Sequence, residues 1–247
     1  MDGATIERRS GTARRAEDIG VVVAGGDGGK RGLRWRRPRH TLTGRQDVAA
    51  VARSGLRLKL FKQQAASGDI AALLFEDESE ALTHPYLAHV WAPRGADLRV
   101  QAPGQSRKRA ILGVRDAVSG LLTVVTSSTK RSTDFIRLLE TLDRKYAPEV
   151  TGNKLKVVLV LDNGPIHTSK LSRKALADRP WIQIEWLPKY APELNDIERD
   201  WRHLKRHFLA NQAVLDLDDL DRRIHAAVAE INRRRAALSL EPFRRAA

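Results

Sequence analysis

The run Lys156-Val-Val-Leu-Val-Leu-Asp162-Asn-Gly164 is the most strand-like stretch of this 247-residue chain. Its five consecutive apolar residues predict a strand that is buried on both faces of a sheet. Asp162 follows this strand directly, and Asn163-Gly164 would also make a good turn. A turn alone does not need so buried a strand before it, so we interpret Asp162 as a candidate site residue at the sheet edge.

Two other carboxylates occupy comparable positions. Asp77 follows the apolar run Ala71-Ala-Leu-Leu-Phe-Glu-Asp77, and Glu198 opens a predicted helix after Leu187-Pro-Lys-Tyr-Ala-Pro-Glu-Leu-Asn-Asp-Ile-Glu198. Acids at strand ends and at a helix start can converge on one point. A hydrophobic core has no need of them there, so we expect their shared partner to be a cation.

Each of these acids also has a structural interpretation. Asp77 lies in Glu76-Asp77-Glu78-Ser79, where any of the three acids could end a strand in solvent. Glu198 would stand at the third position of a helix capped by Asn195, which is a variant of the capping box. Glu193 is the alternative acid for the position that we assign to Glu198.

Three carboxylates suit chemistry at a phosphodiester. Two divalent ions about 3.5–4 Å apart can activate the attacking oxygen and stabilise the leaving oxygen. Mg²⁺ prefers oxygen ligands and keeps several waters, so a few carboxylates can hold it. Asp77 and Asp162 would supply the shared ligands and Glu198 the outer one, and Mn²⁺ could replace Mg²⁺.

Three polar residues near these acids are further candidates. Asn163 and Asn195 could orient the carboxylates. His167, five residues after Asp162, could contact a phosphate or a water on the metal, or it could simply pack against the sheet edge.

The chain is strongly basic, with 44 Lys and Arg against 30 Asp and Glu, a net charge of +14. Such a charge favours nucleic acid as the partner, although a genome that favours Arg codons would produce the same composition. We expect an amino-terminal arm and the region around Glu198 to contact phosphates, unless these are ordinary solvated charges. The predicted DNA-binding residues are Arg34, Arg36, Arg37, Lys189, Arg202, Lys205 and Arg206.

Several classes of protein and site are excluded by the composition. The chain has no cysteine, which removes disulfides, thiolate metal sites and cysteine nucleophiles. No run of 18 apolar residues predicts a membrane-spanning helix. We expect a cytoplasmic protein that associates with the nucleoid.

The order of predicted elements indicates an α/β fold. Strands are predicted at 71–76, 89–93, 109–115, 121–126, 157–161 and 182–187, and helices at 43–65, 132–146, 169–177, 195–209 and 217–238. This order predicts a mixed sheet flanked by helices, as in the ribonuclease-H-like topology. We divide the chain into a Gly-rich basic leader (1–32), a basic arm and helix (33–68), a catalytic domain (69–215) and a carboxy-terminal amphipathic helix with a basic tail (216–247).

Four motifs carry a resemblance to a known family. They are Phe75-Glu-Asp77-Glu-Ser79, Val90-Trp-Ala-Pro-Arg-Gly95, Leu161-Asp-Asn-Gly-Pro-Ile-His167 and the stretch that ends at Glu198, followed by Trp201 and Leu204-Lys205. Across residues 33–215 the chain resembles the DDE transposases of bacterial insertion sequences, in the branch related to mariner elements. In that family two Asp and the Glu of an Asn-Pro-Ile-Glu motif bind two Mg²⁺ ions. The resemblance assigns those roles to Asp77, Asp162 and Glu198.

The chain departs from the family at two places. Asp196 stands where the motif has Pro, and an acid is acceptable in the first turn of a helix. Only 76 residues precede Asp77 and the first 32 show no helix-turn-helix pattern, whereas family members begin with such modules to read the ends of the element. We therefore expect a transposase catalytic domain, active as a homodimer on transposon ends and target DNA. The alternative is an inactive DNA-binding remnant or regulator of a mobile element.

Overall fold

The sheet at the centre of the protein has five strands in the order β3-β2-β1-β4-β5. The computed structural model describes the backbone of residues 43–244 and the side chains of residues 43–238. The strands are β1 (Ala72–Leu82), β2 (Lys108–Asp116), β3 (Leu122–Ser127), β4 (Val157–Leu161) and β5 (Ile182–Trp186). Pairs β1–β2 and β2–β3 are antiparallel, and pairs β1–β4 and β4–β5 are parallel. The predicted mixed sheet is confirmed.

Seven helices cover this sheet in the described part of the chain. They are α1 (Val48–Ser67), α2 (Ser132–Tyr146), α3 (Pro148–Thr151), α4 (Pro165–Thr168), α5 (Lys170–Ala177), α6 (Glu198–His207) and α7 (Leu217–Arg244). Short 3-10 turns lie at Thr43–Arg45 and Pro192–Leu194. None of the described helices is long and apolar enough to cross a membrane.

Side-chain alternation along β1 divides the hydrophobic core into two layers. Leu73 and Phe75 point to one face, where they pack with buried residues of α1, α6 and α7. Ala72 and Leu74 point to the other face, which α2 and α5 cover. Because successive side chains of a strand alternate between faces, the polar continuation of β1 must also send its residues to opposite sides of the sheet.

Two predicted strands differ from the structure. We expected the first strand to stop at Glu76, but β1 continues to Leu82 because β2 pairs with it from Leu74 to Leu82. Asp77 therefore lies inside a strand and not at its end. The strand predicted at 89–93 is wrong, since the segment between β1 and β2 forms only an isolated bridge at Tyr86. Val90 and Trp91 pair with no strand of the sheet and lie exposed.

Two helix starts were also predicted wrongly. α1 begins at Val48, and its cap is Asp47, whose Oδ1 accepts the Ala50 N–H at 3.0 Å. α6 begins at Glu198, so Asn195 does not cap it and the predicted capping box is absent. Trp201 and Leu204 of α6 are buried in the core.

Candidate functional site

Asp77 reaches the site from the middle of β1. It pairs with Gly113 of β2 on one side. On the other side, the β1–β4 register ends at Phe75 and Val160. Two residues further along each chain, the same register places Asp77 beside Asp162. The parallel pairing of the two strands therefore brings the first two predicted acids together.

The carboxylate of Asp77 is held by the indole of Trp201. Trp201 is buried in α6, and its Nε1–H donates to Asp77 Oδ2 at 3.0 Å. A Cβ atom at Gly113 would lie 2.7 Å from Cη2 of this indole. Glycine is thus required in β2 so that the ring can lie against the strand and reach Asp77.

Asp162 follows the last residue of β4 and remains about half exposed. Its Oδ1 accepts the Gly164 N–H at 2.7 Å and lies 2.8 Å from His167 Nδ1. These two contacts fix one carboxylate oxygen and leave Oδ2 free. The bond from His167, followed by that from Gly164, holds the pKa of Asp162 below its usual range despite partial burial.

Glu198 joins the two aspartates from the first turn of α6. All three acids line one open cavity of about 410 Å³, whose wall continues through residues 187–192 and includes Asn163 and Asn195. Glu193, the alternative acid, is exposed and instead accepts from Gln46 Nε2 at 2.8 Å. The geometry therefore favours Glu198 over Glu193 as the third acid.

The electrostatics of the cavity show an excess of negative charge. Burial, followed by the charges of Glu198 and Glu76, raises the pKa of Asp77 to about 7. The ion pair of Asp162 is with His167, and no Lys or Arg among the described residues forms one with any of the three acids. Among the described residues, the nearby cations Lys189 and Lys205 thus influence these carboxylates without forming an ion pair with them.

The three polar residues that we singled out near the acids do different things. His167 is buried and contacts Asp162 directly. Asn163 Nδ2 donates to the Leu187 carbonyl at 2.6 Å, which joins the ends of β4 and β5. Asn195 Nδ2 donates to the Glu76 carbonyl at 2.7 Å, which fastens the segment before α6 to β1. Both amides position backbone next to the acids and do not hold the carboxylates themselves.

Two acids that we did not single out lie on the opposite face of β1. Glu76 is fully buried, and Glu78 is nearly so. Burial raises the pKa of Glu76, and burial followed by the charge of Glu76 raises that of Glu78 to about 8. Had the strand been extended past Glu76, its alternation would have placed both acids together.

The predicted DNA-contacting residues are only partly in the described chain. Lys189 lines the cavity, and Arg202 on α6 approaches the Glu198 carbonyl, with Nε at 3.5 Å. Arg206 is exposed one turn further along α6, and Lys205 is half buried. Arg34, Arg36 and Arg37 lie outside the described residues.

Known proteins share this sequence pattern. A protein of the insertion element IS630 from Shigella sonnei is 29% identical over 173 residues, which are 70% of this chain and 48% of that protein. The transposable element Tcb2 transposase of Caenorhabditis briggsae is 27% identical over 214 residues, 81% of this chain and 76% of that protein. The chain thus spans about half the length of the first relative.

Solved structures share the fold. A Mos1 transposase paired-end complex with the left transposon end superposes with a TM-score of 0.53 at 15% identity, covering 84% of this chain and 66% of that one. A Mos1 paired-end complex with Mg gives a TM-score of 0.54 at 16% identity, over 81% and 60% of the two chains. These matches show the ribonuclease-H-like fold. The DDE superfamily endonuclease family matches residues 72–221, from the start of β1 into α7, and the chain therefore belongs to that family.

Proposed function

We propose that this chain is the catalytic domain of a transposase that cleaves DNA strands with divalent metal ions and joins the cut end to target DNA. The observation that carries the proposal is the convergence of Asp77, Asp162 and Glu198 on one open cavity. Membership of an endonuclease family supports it. A relative named as a transposase supports the transfer step.

The residues of the cavity fit hard divalent ions. Carboxylate oxygens are the ligands that Mg²⁺ and Mn²⁺ prefer, and the three acids have no Lys or Arg partner among the described residues. Mos1 complexes with Mg and with Mn support the same choice of ions. We propose that Asp77, Asp162 and Glu198 hold two such ions. When bound, the ions would activate the attacking oxygen and stabilise the leaving oxygen.

The protein's own contribution is to prepare the carboxylates. Trp201 fixes Oδ2 of Asp77, and His167 with Gly164 fixes Oδ1 of Asp162. Each aspartate therefore presents one oxygen of defined direction to the cavity. Fixed ligands limit reorganisation during the reaction, and positioning of the reacting groups supplies a large part of the rate.

DNA is the proposed partner, and the basic side chains are its proposed contacts. Lys189 stands in the cavity wall, with Arg202, Lys205 and Arg206 along α6 beside it. Together with Arg34, Arg36 and Arg37 they would follow the phosphate backbone. Paired-end complexes of Mos1 support transposon ends as the DNA.

We further propose that the active form is a homodimer, because joining two ends to one target requires two sites. DNA as substrate would also place the protein at the nucleoid. We keep residues 69–215 as the proposed catalytic domain, although the family match continues into α7. Light scattering of the full chain with and without end DNA would measure the dimer.

Plasmid nicking tests the proposed chemistry. Wild type should nick supercoiled DNA with Mg²⁺ or Mn²⁺, and Ca²⁺ should support binding without cleavage because it accepts looser coordination. Asp162→Asn keeps the shape of the side chain but removes its charge, so nicking should vanish while DNA binding persists. Asp178→Asn, an exposed acid beyond α5, is the matched control and should nick like wild type.

The alternative function has a distinct outcome in the same assay. If wild type binds DNA normally but nicks with none of the three ions, the chain is an inactive DNA-binding remnant or regulator. If Asp162→Asn nicks as fast as wild type, the observed cleavage does not come from this cavity.

A further inference from the structure

Glu76, Glu78 and His167 form a second cluster of potential metal ligands, on the face of β1 opposite Asp77. One donor atom from each lies within 4.8 Å of the other two. Glu76 and His167 are fully buried, and the ring of Phe135 packs edge-on against the imidazole, with centroids 4.8 Å apart. Glu78 retains limited exposure at 14% of its side chain, which gives the cluster a route to solvent.

The hydrogen bond at the far side of His167 defines which nitrogen faces the two glutamates. Oδ1 of Asp162 lies 2.8 Å from Nδ1 and also accepts the Gly164 N–H. An ionised carboxylate can only accept, so Nδ1 carries a hydrogen. Nε2 is then directed toward Glu76 and Glu78. A carboxylate bonded to the outer nitrogen of a histidine is the usual support of a metal-binding imidazole.

The distances from Nε2 to the two glutamates are typical of ligand atoms that share one metal ion. The contacts lack the alignment of hydrogen bonds. Nε2 lies 2.9 Å from Glu76 Oε2 and 3.5 Å from Glu78 Oε1. Even so, neither Nε2 nor either oxygen of Glu76 makes an aligned hydrogen bond. An ion about 2.1 Å from each donor would see these two pairs at angles of about 90° and about 110°, which are ordinary coordination angles.

When both glutamates are ionised, the charge of the cluster is incomplete. Glu76 and Glu78 form ion pairs with His167, and no Lys or Arg in the described chain forms one with either of them. A proton on Nε2 supplies a single positive charge to two carboxylates in a buried place. Buried charges are costly unless they are paired or bind a metal. A divalent ion would balance both glutamates.

We propose that Glu76, Glu78 and His167 bind a divalent transition-metal ion at a site separate from the cavity acids. Imidazole with carboxylates suits Zn²⁺ or Mn²⁺ better than Mg²⁺, which prefers oxygen alone. The ion would fix the imidazole and, through Nδ1, the orientation of Asp162. It would also tie α4 to β1 beneath the cavity. The site needs no DNA chemistry and can be tested without it.

Co²⁺ is a suitable probe because a bound ion absorbs visible light and competes with Zn²⁺. The starting protein is the metal-stripped full chain carrying Asp77→Asn and Glu198→Gln, which weaken ion binding by the cavity acids. It also carries His203→Gln, since His203 and His207 lie one turn apart on α6 with ring centroids separated by 4.8 Å. Calorimetry and absorption should both show one bound Co²⁺, displaced by Zn²⁺.

Variants of the proposed ligand residues then show whether the Co²⁺ ion binds at this cluster. Adding Glu76→Gln and Glu78→Gln, which preserve side-chain shape, should lower affinity by more than about 100-fold. Asp162→Asn, which keeps the side-chain shape and weakens the bond that supports His167, should lower it about 10–100-fold. The matched control changes the exposed acids Glu140 and Glu149 to Gln and should leave affinity unchanged.

Two results would overturn the site. One is a starting protein that binds no Co²⁺ at micromolar concentration, and the other is unchanged affinity in the Glu76→Gln/Glu78→Gln variant. If that variant fails to fold, anomalous diffraction from Co²⁺-soaked crystals of the starting protein decides. A peak among the three donors supports the site, and a peak elsewhere or none refutes it. Nicking by wild type is measured separately, so either proposal can fail alone.

Discussion

The indole of Trp201 lies so close to Gly113 that a Cβ atom on that glycine would come within 2.7 Å of its Cη2 atom. The same indole donates its N–H to Asp77. A glycine in β2, a tryptophan in α6 and an acid in β1 therefore form one unit, although they are far apart in the sequence. The candidate site depends on close packing between the helix and the sheet.

Gly113→Ala should displace Trp201 and destabilise the protein. The added methyl group would also meet Val124 Cγ1 at 3.0 Å and the Thr123 carbonyl at 3.2 Å, so several groups must move. Overpacking of this kind costs about 1–3 kcal/mol. Urea denaturation should show the loss. Gly104→Ala is the control, because nothing lies within 4 Å of its Cβ position; equal stability of the two variants would contradict the packing argument.

Trp201→Phe should impair the site more than the core. It keeps an aromatic ring but removes the N–H that fixes Asp77 Oδ2, and a hydrogen bond to a charged group contributes about 1.5–3 kcal/mol. Nicking should fall about tenfold or more, and half-maximal nicking should require a higher Mg²⁺ concentration because the ion is bound more weakly. Trp186→Phe on β5, which is partly exposed and borders no acid of the cavity, should nick normally. Normal nicking by Trp201→Phe would show that this bond has no part in the reaction.

Asp77 should make the metal-free protein less stable as pH rises. Its pKa is about 7 in the folded protein and near 3.8 when unfolded. Between about pH 4 and 7 the folded state keeps a proton that the unfolded state has lost, so the free energy of unfolding falls with rising pH. Asp77→Asn should remove this part of the slope. Thermal melts of both proteins across this range, without metal, measure the difference.

Added Mg²⁺ should oppose the loss of stability that rising pH causes through Asp77. Protons compete with the ion for this carboxylate, so Mg²⁺ should raise the melting temperature more at pH 8 than at pH 6. A free Mg²⁺ concentration of 100 times its Kd would stabilise the folded protein by about 2.7 kcal/mol. Asp77→Asn should show little Mg²⁺ effect at either pH. A larger Mg²⁺ effect at pH 6 than at pH 8 would contradict the raised pKa.

Lys189 and Arg202 should contribute phosphate contacts to DNA binding. Replacing both by Ala should weaken binding of any sequence and reduce the slope of log K against log salt by about 0.7–0.9 per lost contact. Lys170 and Arg173 on α5, across the sheet from α6, provide a charge-matched control pair. Fluorescence anisotropy at several salt concentrations measures both slopes. Equal slopes for the two double variants would remove Lys189 and Arg202 from the proposed interface.

The class of fold was available from the sequence because hydrophobic periodicity reports burial. The run before Asp162 is apolar at every position, so it had to be a central strand, and α2 was predicted with its observed bounds. Spacing and turn chemistry also indicated three acids. The errors fell where local pattern and pairing disagree. The apolar run at 89–93 does not join the sheet, and Asp77 was predicted at a strand end but lies inside β1.

The sequence by itself determined most of the elements and indicated the three acids, since burial patterns and motif order are local properties. Only the tertiary structure decided which oxygen of each aspartate is held and by what, because Trp201, Gly113 and His167 meet the acids through packing and register. The tertiary structure also decided that Glu76, Glu78 and His167 lie together in the second cluster. Glu76 and Glu78 lie together because β2 extends β1 past the point where its apolar residues end, and such pairing cannot be read from one strand alone.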